Sequence, residues 1–264
     1  MSLDESTAAA CAQESPLCDT LVLSDHADLD ELRFREETEP YPDPARNIAC
    51  LIDSKELPRK LRYALDRARL DPAGDVVELG AGTCWMAAEL AKRPAVRRVI
   101  AIEFSTRRLT ELAPFAIAHL GAPAAKIERR IADFYAHGLD REIADWVVMD
   151  AAFHHAADPV GLARVAWELL RPGGRFVLFR EPTLSLLRRT RNRGEEDKHG
   201  DFEREYTAAG YLAHLRAAGF VATKHRASGG WRTARAQASL RPPLAWLNGI
   251  AFAEYTYLGR RPEA

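Results

Sequence analysis

The run Val76-Val77-Glu78-Leu79-Gly80-Ala81-Gly82-Thr83-Cys84-Trp85 holds residue types that can grip a nucleotide-like ligand. Two β-branched residues lead into a carboxylate and a glycine-rich turn, and the helix-compatible Met86-Ala87-Ala88-Glu89-Leu90 follows. This order predicts strand, tight turn, helix. Gly80 and Gly82 permit backbone angles that a Cβ forbids, so the chain can turn sharply and approach a ligand closely. The helix start beyond them offers unpaired N–H groups, and such a turn lies at the carboxyl edge of a parallel sheet. Further along, His154 and His155 follow a second apolar run, and imidazole is the side chain suited to moving a proton near neutrality.

Elements that position these groups can be read around them. In the dinucleotide pattern G-x-G-x-x-G/A the third small residue lets helix and strand pack closely. Counting from Gly80, that place holds Trp85, which disfavours NAD and FAD. No Gly-Lys-Ser/Thr follows, so a P-loop is excluded. Val99-Ile100-Ala101-Ile102-Glu103 reads as a buried strand ending in a carboxylate, the place from which an acidic residue accepts bonds from ribose hydroxyls. Next come Ile131-Ala132-Asp133-Phe134, then Asp145-Trp146-Val147-Val148-Met149-Asp150-Ala151-Ala152-Phe153-His154-His155, then Leu170-Arg171-Pro172-Gly173-Gly174-Arg175-Phe176-Val177-Leu178. In the last, proline stops a helix and the glycines turn into a strand.

Taken in order, these pieces resemble the class I S-adenosylmethionine-dependent methyltransferases over about Val76 to Phe220. Glu78, Gly80 and Gly82 match the family's E-x-G-x-G-x-G, with Cys84 where its third glycine stands. The resemblance implies an α/β, Rossmann-like fold: a seven-stranded, mostly parallel sheet with helices on both faces and a reversed last strand. It implies S-adenosyl-L-methionine as cofactor, held by Glu78, Gly80, Ala81, Gly82, Cys84 and Trp85, by Glu103 and Phe104, by Asp133 and Phe134 near adenine, and by Asp150. Glu196-Asp197-x-His199-Gly200, with Glu205-Tyr206-Thr207 before a helix, resembles bacterial methyltransferases of glycan or glycoconjugate biosynthesis. Acceptor contacts are then expected from Tyr41, Phe153, Arg180, Glu181, His199 and Tyr206.

Two absences narrow the reaction. The Asn/Asp-Pro-Pro-aromatic motif common in amino-group methylation is replaced by Asp150-Ala151-Ala152-Phe153, and no Pro-Cys nucleophile is present there. A hydroxyl acceptor, small molecule or glycoconjugate, therefore leads, and it needs a base. His154 and His155 are the nearest candidates, against the reading that one of them only orients the loop. Nitrogen or carbon methylation of a secondary metabolite stays open. So do a cofactor-binding scaffold and, third, a Rossmann oxidoreductase.

Composition agrees with a globular enzyme: 264 residues, 47% hydrophobic and 28% charged, with net charge -1. That charge gives no case for nucleic acid or an acidic membrane. No apolar run is long enough to span a bilayer. Asp4 and Glu5 stand where a secretory signal carries basic residues. Cys11, Cys18, Cys50 and Cys84 lack metal-ligand spacing and fit free thiols in a reducing cytoplasm. The division expected is an N-terminal extension and helical cap over 1–70 and a methyltransferase domain over 71–264. A charged insertion at about 183–206 reads as a lid, or as a solvated surface stretch. Oligomeric state is open. Residues 1 to about 21 read as loose and Asp30–Arg35 as a short helix. Asp53-Ser54-Lys55-Glu56 reads as a capping box opening a helix to Leu70, with Leu57, Leu61 and Leu65 inward. Ser105 is expected to cap a helix carrying Leu109, Leu112 and Ile117, and further helices are expected over Asp158–Leu170 and Thr207–Ala218. Strands are expected at Phe220–Thr223 and Ala253–Leu258.

Overall fold

The computed structural model describes residues 10, 15–19, 41–184, 204–227 and 254–263. Within them the chain runs β1 (Leu17–Asp19), α1 (Pro44–Ser54), α2 (Leu57–Ala68), β2 (Gly74–Leu79), α3 (Trp85–Ala91), β3 (Val96–Glu103), α4 (Ala113–His119), β4 (Ile127–Ile131), β5 (Ala144–Asp150), α5 (Pro159–Leu169) and β6 (Leu170–Phe179). Then follow β7 (Thr183–Leu184), β8 (Tyr206–Thr207), α6 (Ala208–Ala217), β9 (Val221–Arg226) and β10 (Tyr255–Arg260). Asp30–Arg35, His199 and the interior of the charged insertion lie outside the described residues.

The main sheet has the order β1-β4-β3-β2-β5-β6-β10-β9. Every pair from β1 to β6 is parallel, and β10 runs antiparallel to both β6 and β9. The reversed last strand is thus as expected, and the seven expected strands are present with an eighth, β1, on one edge. Parallel strands are buried on both faces, so they read as continuous apolar runs. On one face Val76, Val99, Trp146 and Val148 pack with Ile48, Ile52, Leu57 and Leu65 of α1 and α2 and with α3 and α4. On the other, Val77, Leu79, Ile100, Val147 and Phe176 pack with Leu162 and Leu169 of α5 and Tyr211 and Leu215 of α6. The helices that follow the neighbouring strands β2 and β5 therefore lie on opposite faces. A crevice opens between such strands at their carboxyl ends.

Three local readings need correction. The capping box at Asp53–Glu56 does not form: α1 continues through Ser54, and α2 starts only at Leu57, with Pro58 in its first turn. A helix capped by Asp53 would need the N–H groups of residues 57 and 58 for its first two internal bonds, and proline has none. Asp53 instead meets His119 Nε2 at 3.0 Å, tying α1 to α4. The helix after Ser105 is capped as expected, Arg108 N–H donating to Ser105 Oγ at 3.2 Å. It opens, however, with a π turn over Arg108–Leu112 before α4. Pro114 cannot donate into a regular ladder there. Leu57, Leu61, Leu65, Leu109, Leu112 and Ile117 are all buried, as expected.

The N-terminal segment is also more ordered than its composition suggests. Arg129 on β4 is 2% exposed. Its guanidinium donates to Ser15 O at 2.9 Å, to Ser15 Oγ at 3.1 Å and to Leu109 O. Ser15 Oγ donates to Ile127 O at 2.6 Å and Arg129 N–H to Pro16 O at 2.7 Å. A buried guanidinium must fill its donors, and here Ser15 of the incoming segment and the Leu109 carbonyl fill them. Arg129→Met is expected to lower stability by about 2 kcal/mol, the cost of leaving buried acceptors unmet. The Arg129 amide should also exchange faster. Unchanged urea midpoint and amide protection would refute the role.

At the opposite, amino edge of the sheet, Asp75 meets Arg97 at 2.7 Å and Arg171 at 3.1 Å, and Asp145 meets Arg171 at 3.1 Å. Burial pushes the Asp75 carboxyl up, but hydrogen bonds from Arg97 and Arg171 outweigh it and hold it below its ordinary 3.8. A depressed carboxyl stabilises the fold above its unfolded pKa and loses that contribution as acid titrates the folded state. Urea midpoints of wild type and Asp75→Asn should therefore differ near neutrality and converge as pH falls below the ordinary aspartate range. A constant difference across that range would refute it.

Candidate active site

The glycine turn after β2 has the strain that its sequence predicts. Gly80 and Gly82 have φ of 71° and 53°, and Cys84, in the third turn position, has φ of 61° without being glycine. A Cβ on Gly80 would stand 2.9 Å from Ala152 Cβ and 3.1 Å from the Phe134 ring, whereas one on Gly82 would meet nothing within 4 Å. Gly80 therefore lets three loops close together, and Gly82 keeps an open space beside the turn. Phe134, expected near adenine, does stand over this turn.

Glu78 is 1% exposed, near the end of β2 on the face that α3 covers. Cys84 gives α3 no side-chain cap, and the Ala87 N–H in its first turn donates to Glu78 instead. Burial and then the nearby Asp150 charge push the Glu78 carboxyl well up, with Glu103 adding to the effect and the Ala87 bond opposing it. Glu78 Oε2 has no hydrogen-bond partner among the described residues. Burial also pushes the Cys84 thiol up.

Glu103 ends β3 and accepts from Gly82 N–H at 2.8 Å and Ser105 N–H at 3.1 Å. Phe104 lies next to it, its ring 5.7 Å from the Arg108 guanidinium. Asp133 Oδ1 accepts from Tyr135 N–H at 2.8 Å, so this residue also caps its own turn. Asp150 ends β5 and accepts from Trp85 Nε1 at 3.0 Å and from Arg180, the latter with a bidentate grip. The Arg180 guanidinium sits 5.4 Å from the Trp85 ring centre. The indole that disfavoured a dinucleotide thus has a role of its own: it ties α3 to the end of β5.

After β5 the chain makes a single turn over Phe153–His155. Glu181, 2% exposed, closes it. Its Oε1 accepts from Ala152 and Phe153 N–H at 3.1 and 3.0 Å. Its Oε2 accepts from His154 N–H at 3.3 Å and lies 2.9 Å from His154 Nδ1. A carboxylate surrounded by donors is the acceptor, so Nδ1 carries the ring proton and a neutral ring keeps its lone pair on Nε2. The His155 ring packs against the His154 ring at 4.1 Å between centres. Phe153 is fully buried among Phe176 and Tyr211.

Glu181 was expected at the acceptor; the turn around His154 instead takes up both its oxygens. That role was not legible in the sequence, because its partners are backbone N–H groups of a distant loop. Tyr206 forms the short β7–β8 ladder with Thr183, its ring against Tyr211 and His214. Tyr41 sits before α1, its N–H bonded to Asn47 Oδ1 at 2.9 Å and its ring under Arg46. His199 lies outside the described residues. Among the described residues no helix is long and apolar enough to cross a membrane.

The two glycines differ in a testable way. Gly80→Ala should cost about 1–3 kcal/mol in stability by overpacking and lose S-adenosylmethionine binding. Gly82→Ala should fold with only the modest strain of its backbone angle yet bind the cofactor weakly in calorimetry. Full affinity in Gly82→Ala would place the cofactor elsewhere.

Residues 77–178 match the family model described as methyltransferase domain. No curated protein matches the sequence. A Haloferax volcanii methyltransferase, solved in complex with the Trm112 methyltransferase activator, is similar with a TM-score of 0.64 and 18% identity, over 91% of this chain and 99% of that one. The 1,6-didemethyltoxoflavin-N1-methyltransferase of Burkholderia thailandensis, solved with S-adenosylhomocysteine, gives 0.59 and 19% over 93% of each chain. The [4+2]-cyclase SpnF gives 0.56 and 19% over 78% of this chain and 81% of its own. The orphaned oxygen of buried Glu78, the open side of Gly82 and the carboxylates of Glu103 and Asp150 suit a cationic, ribose-bearing ligand. The chain's sheet order is that of the class I methyltransferase fold, and residues 77–178 within it match a methyltransferase domain.

Proposed function

We propose that the chain methylates a hydroxyl group of a small-molecule or glycoconjugate acceptor, with His154 as the base. The observation that carries this reading is the 2.9 Å contact between His154 Nδ1 and the buried Glu181 carboxylate. Glu78, Gly80, Ala81, Gly82, Glu103, Phe104, Asp133 and Phe134 would hold the cofactor, which when bound supplies an electrophilic methyl carbon on a sulfonium leaving group. Cys84, Trp85 and Asp150 would shape the end of that crevice.

A neutral alcohol is a poor nucleophile until its proton has somewhere to go. With Nδ1 bonded to Glu181, His154 Nε2 takes that proton as the acceptor oxygen bonds to carbon. Glu181 then faces an imidazolium and stabilises it, and the proton leaves to solvent after turnover. Because Glu181 also grips three backbone N–H groups of the same turn, the ring cannot swing without breaking them. Fixed orientation is what a displacement in line requires. The His155 ring packs against the His154 ring and helps to hold it. Arg180, held by Asp150, lies beside Glu181 in the chain and would meet polar groups of the acceptor.

His154→Ala should lower turnover by about a hundredfold or more, read as release of S-adenosylhomocysteine with a panel of alcohol and amine acceptors. Cofactor affinity in calorimetry should stay near wild type. Turnover that survives in His154→Ala, or activity confined to amines, would overturn the reading.

A further inference from the structure

We infer that Arg204 is a positioning residue for His154, closing from the carbonyl side the turn that Glu181 closes from the N–H side. The inference rests on the proposed role of His154. Beyond β6 the chain passes Glu181 and enters β7; where it is next described, Arg204 leads into β8. The ladder of Thr183 with Tyr206 and of Leu184 with Thr207 brings these two stretches side by side. Arg204 then reaches back to the turn. Its N–H donates to His154 O at 3.3 Å and its Nη1 to Ala157 O at 2.9 Å. Its guanidinium also hydrogen-bonds Tyr206.

The two residues are complementary in polarity. Glu181 can only accept and takes the N–H groups of Ala152, Phe153 and His154. Arg204 can only donate through its side chain and takes the carbonyl of Ala157, where the turn passes into the Asp158 cap of α5. A turn as short as Phe153–His155 cannot satisfy its own backbone groups internally. Gripped at one end only, it would pivot about Glu181.

The support behind the grip is rigid. Tyr211 on α6 donates its hydroxyl to Pro182 O at 2.8 Å, Thr183 Oγ1 lies 2.8 Å from the Tyr257 hydroxyl, and Tyr211 stacks on Tyr257 at 4.6 Å. The β7–β8 ladder is thereby fixed to α6 and β10. A displacement of that ladder would carry Arg204 with it and turn the His154 ring. Among the described residues, this links the ends of the charged insertion to the imidazole.

The test uses the full chain with S-adenosylhomocysteine and compares Arg204→Met with Arg204→Lys. Imidazole nitrogen resonances of His154 should report the Nδ1-protonated form in wild type. In Arg204→Met the two nitrogen shifts should move toward their average. The Ala152–His154 amides should also exchange about tenfold faster, the equivalent of one hydrogen bond. Arg204→Lys should restore much of both. His119, on the opposite face of the sheet, controls for the fold and should not change. His154 resonances and amide protection identical in wild type and Arg204→Met would overturn the inference. Neither readout needs methyl transfer, so failure of the base reading in His154→Ala is a separate result.

Discussion

A carboxylate taken out of water must be given donors, and the carboxyl edge of this sheet is arranged around four of them. Glu181 receives three backbone N–H groups and an imidazole. Asp150 receives an indole and a guanidinium. Glu103 receives the N–H groups of Gly82 and Ser105. Only Glu78 is left short, with one oxygen unmet. Each set of bonds crosses from one strand end to the loop of another. The acidic residues at this edge are thus also what hold its loops in place.

What could be read beforehand follows from how parallel sheets are built. Strands buried on both faces give continuous apolar runs, and glycines with positive φ mark the turns, so β2, β3, β5 and the turn after β2 were all legible, whereas the expected turn at Pro172-Gly173-Gly174 lies inside β6, which starts at Leu170. The Asp53-to-Glu56 pattern pointed to a cap that does not form, because Pro58 has no N–H to give a helix opened at Asp53. Less accessible were the long-range polar contacts. Nothing near Glu181 in sequence announces that it closes the turn around His154, and nothing near Ser15 announces a guanidinium on β4. Such pairs depend on which strand ends become neighbours, and that is a property of the sheet order.

Fold and chemistry separate here as they do in other widely used folds. The similar structures include an N-methyltransferase and a cyclase, at identities near one in five. Such a likeness shows a shared frame. It does not choose the acceptor. At the turn after β5 this chain has a histidine bonded to a buried carboxylate from beyond β6.

The edge strand β1 has a consequence for how the chain is made. Ser15 and its partner Ile127 are 112 residues apart. A ribosome adding about 5–20 residues per second delivers β1 on the order of ten seconds before β4 exists to receive it. During that interval Leu17 and its neighbours have no edge to pair with, while β2 and β3 can already join each other. β2, β3 and β4 therefore have to come together before β1, the first described strand, can take its edge.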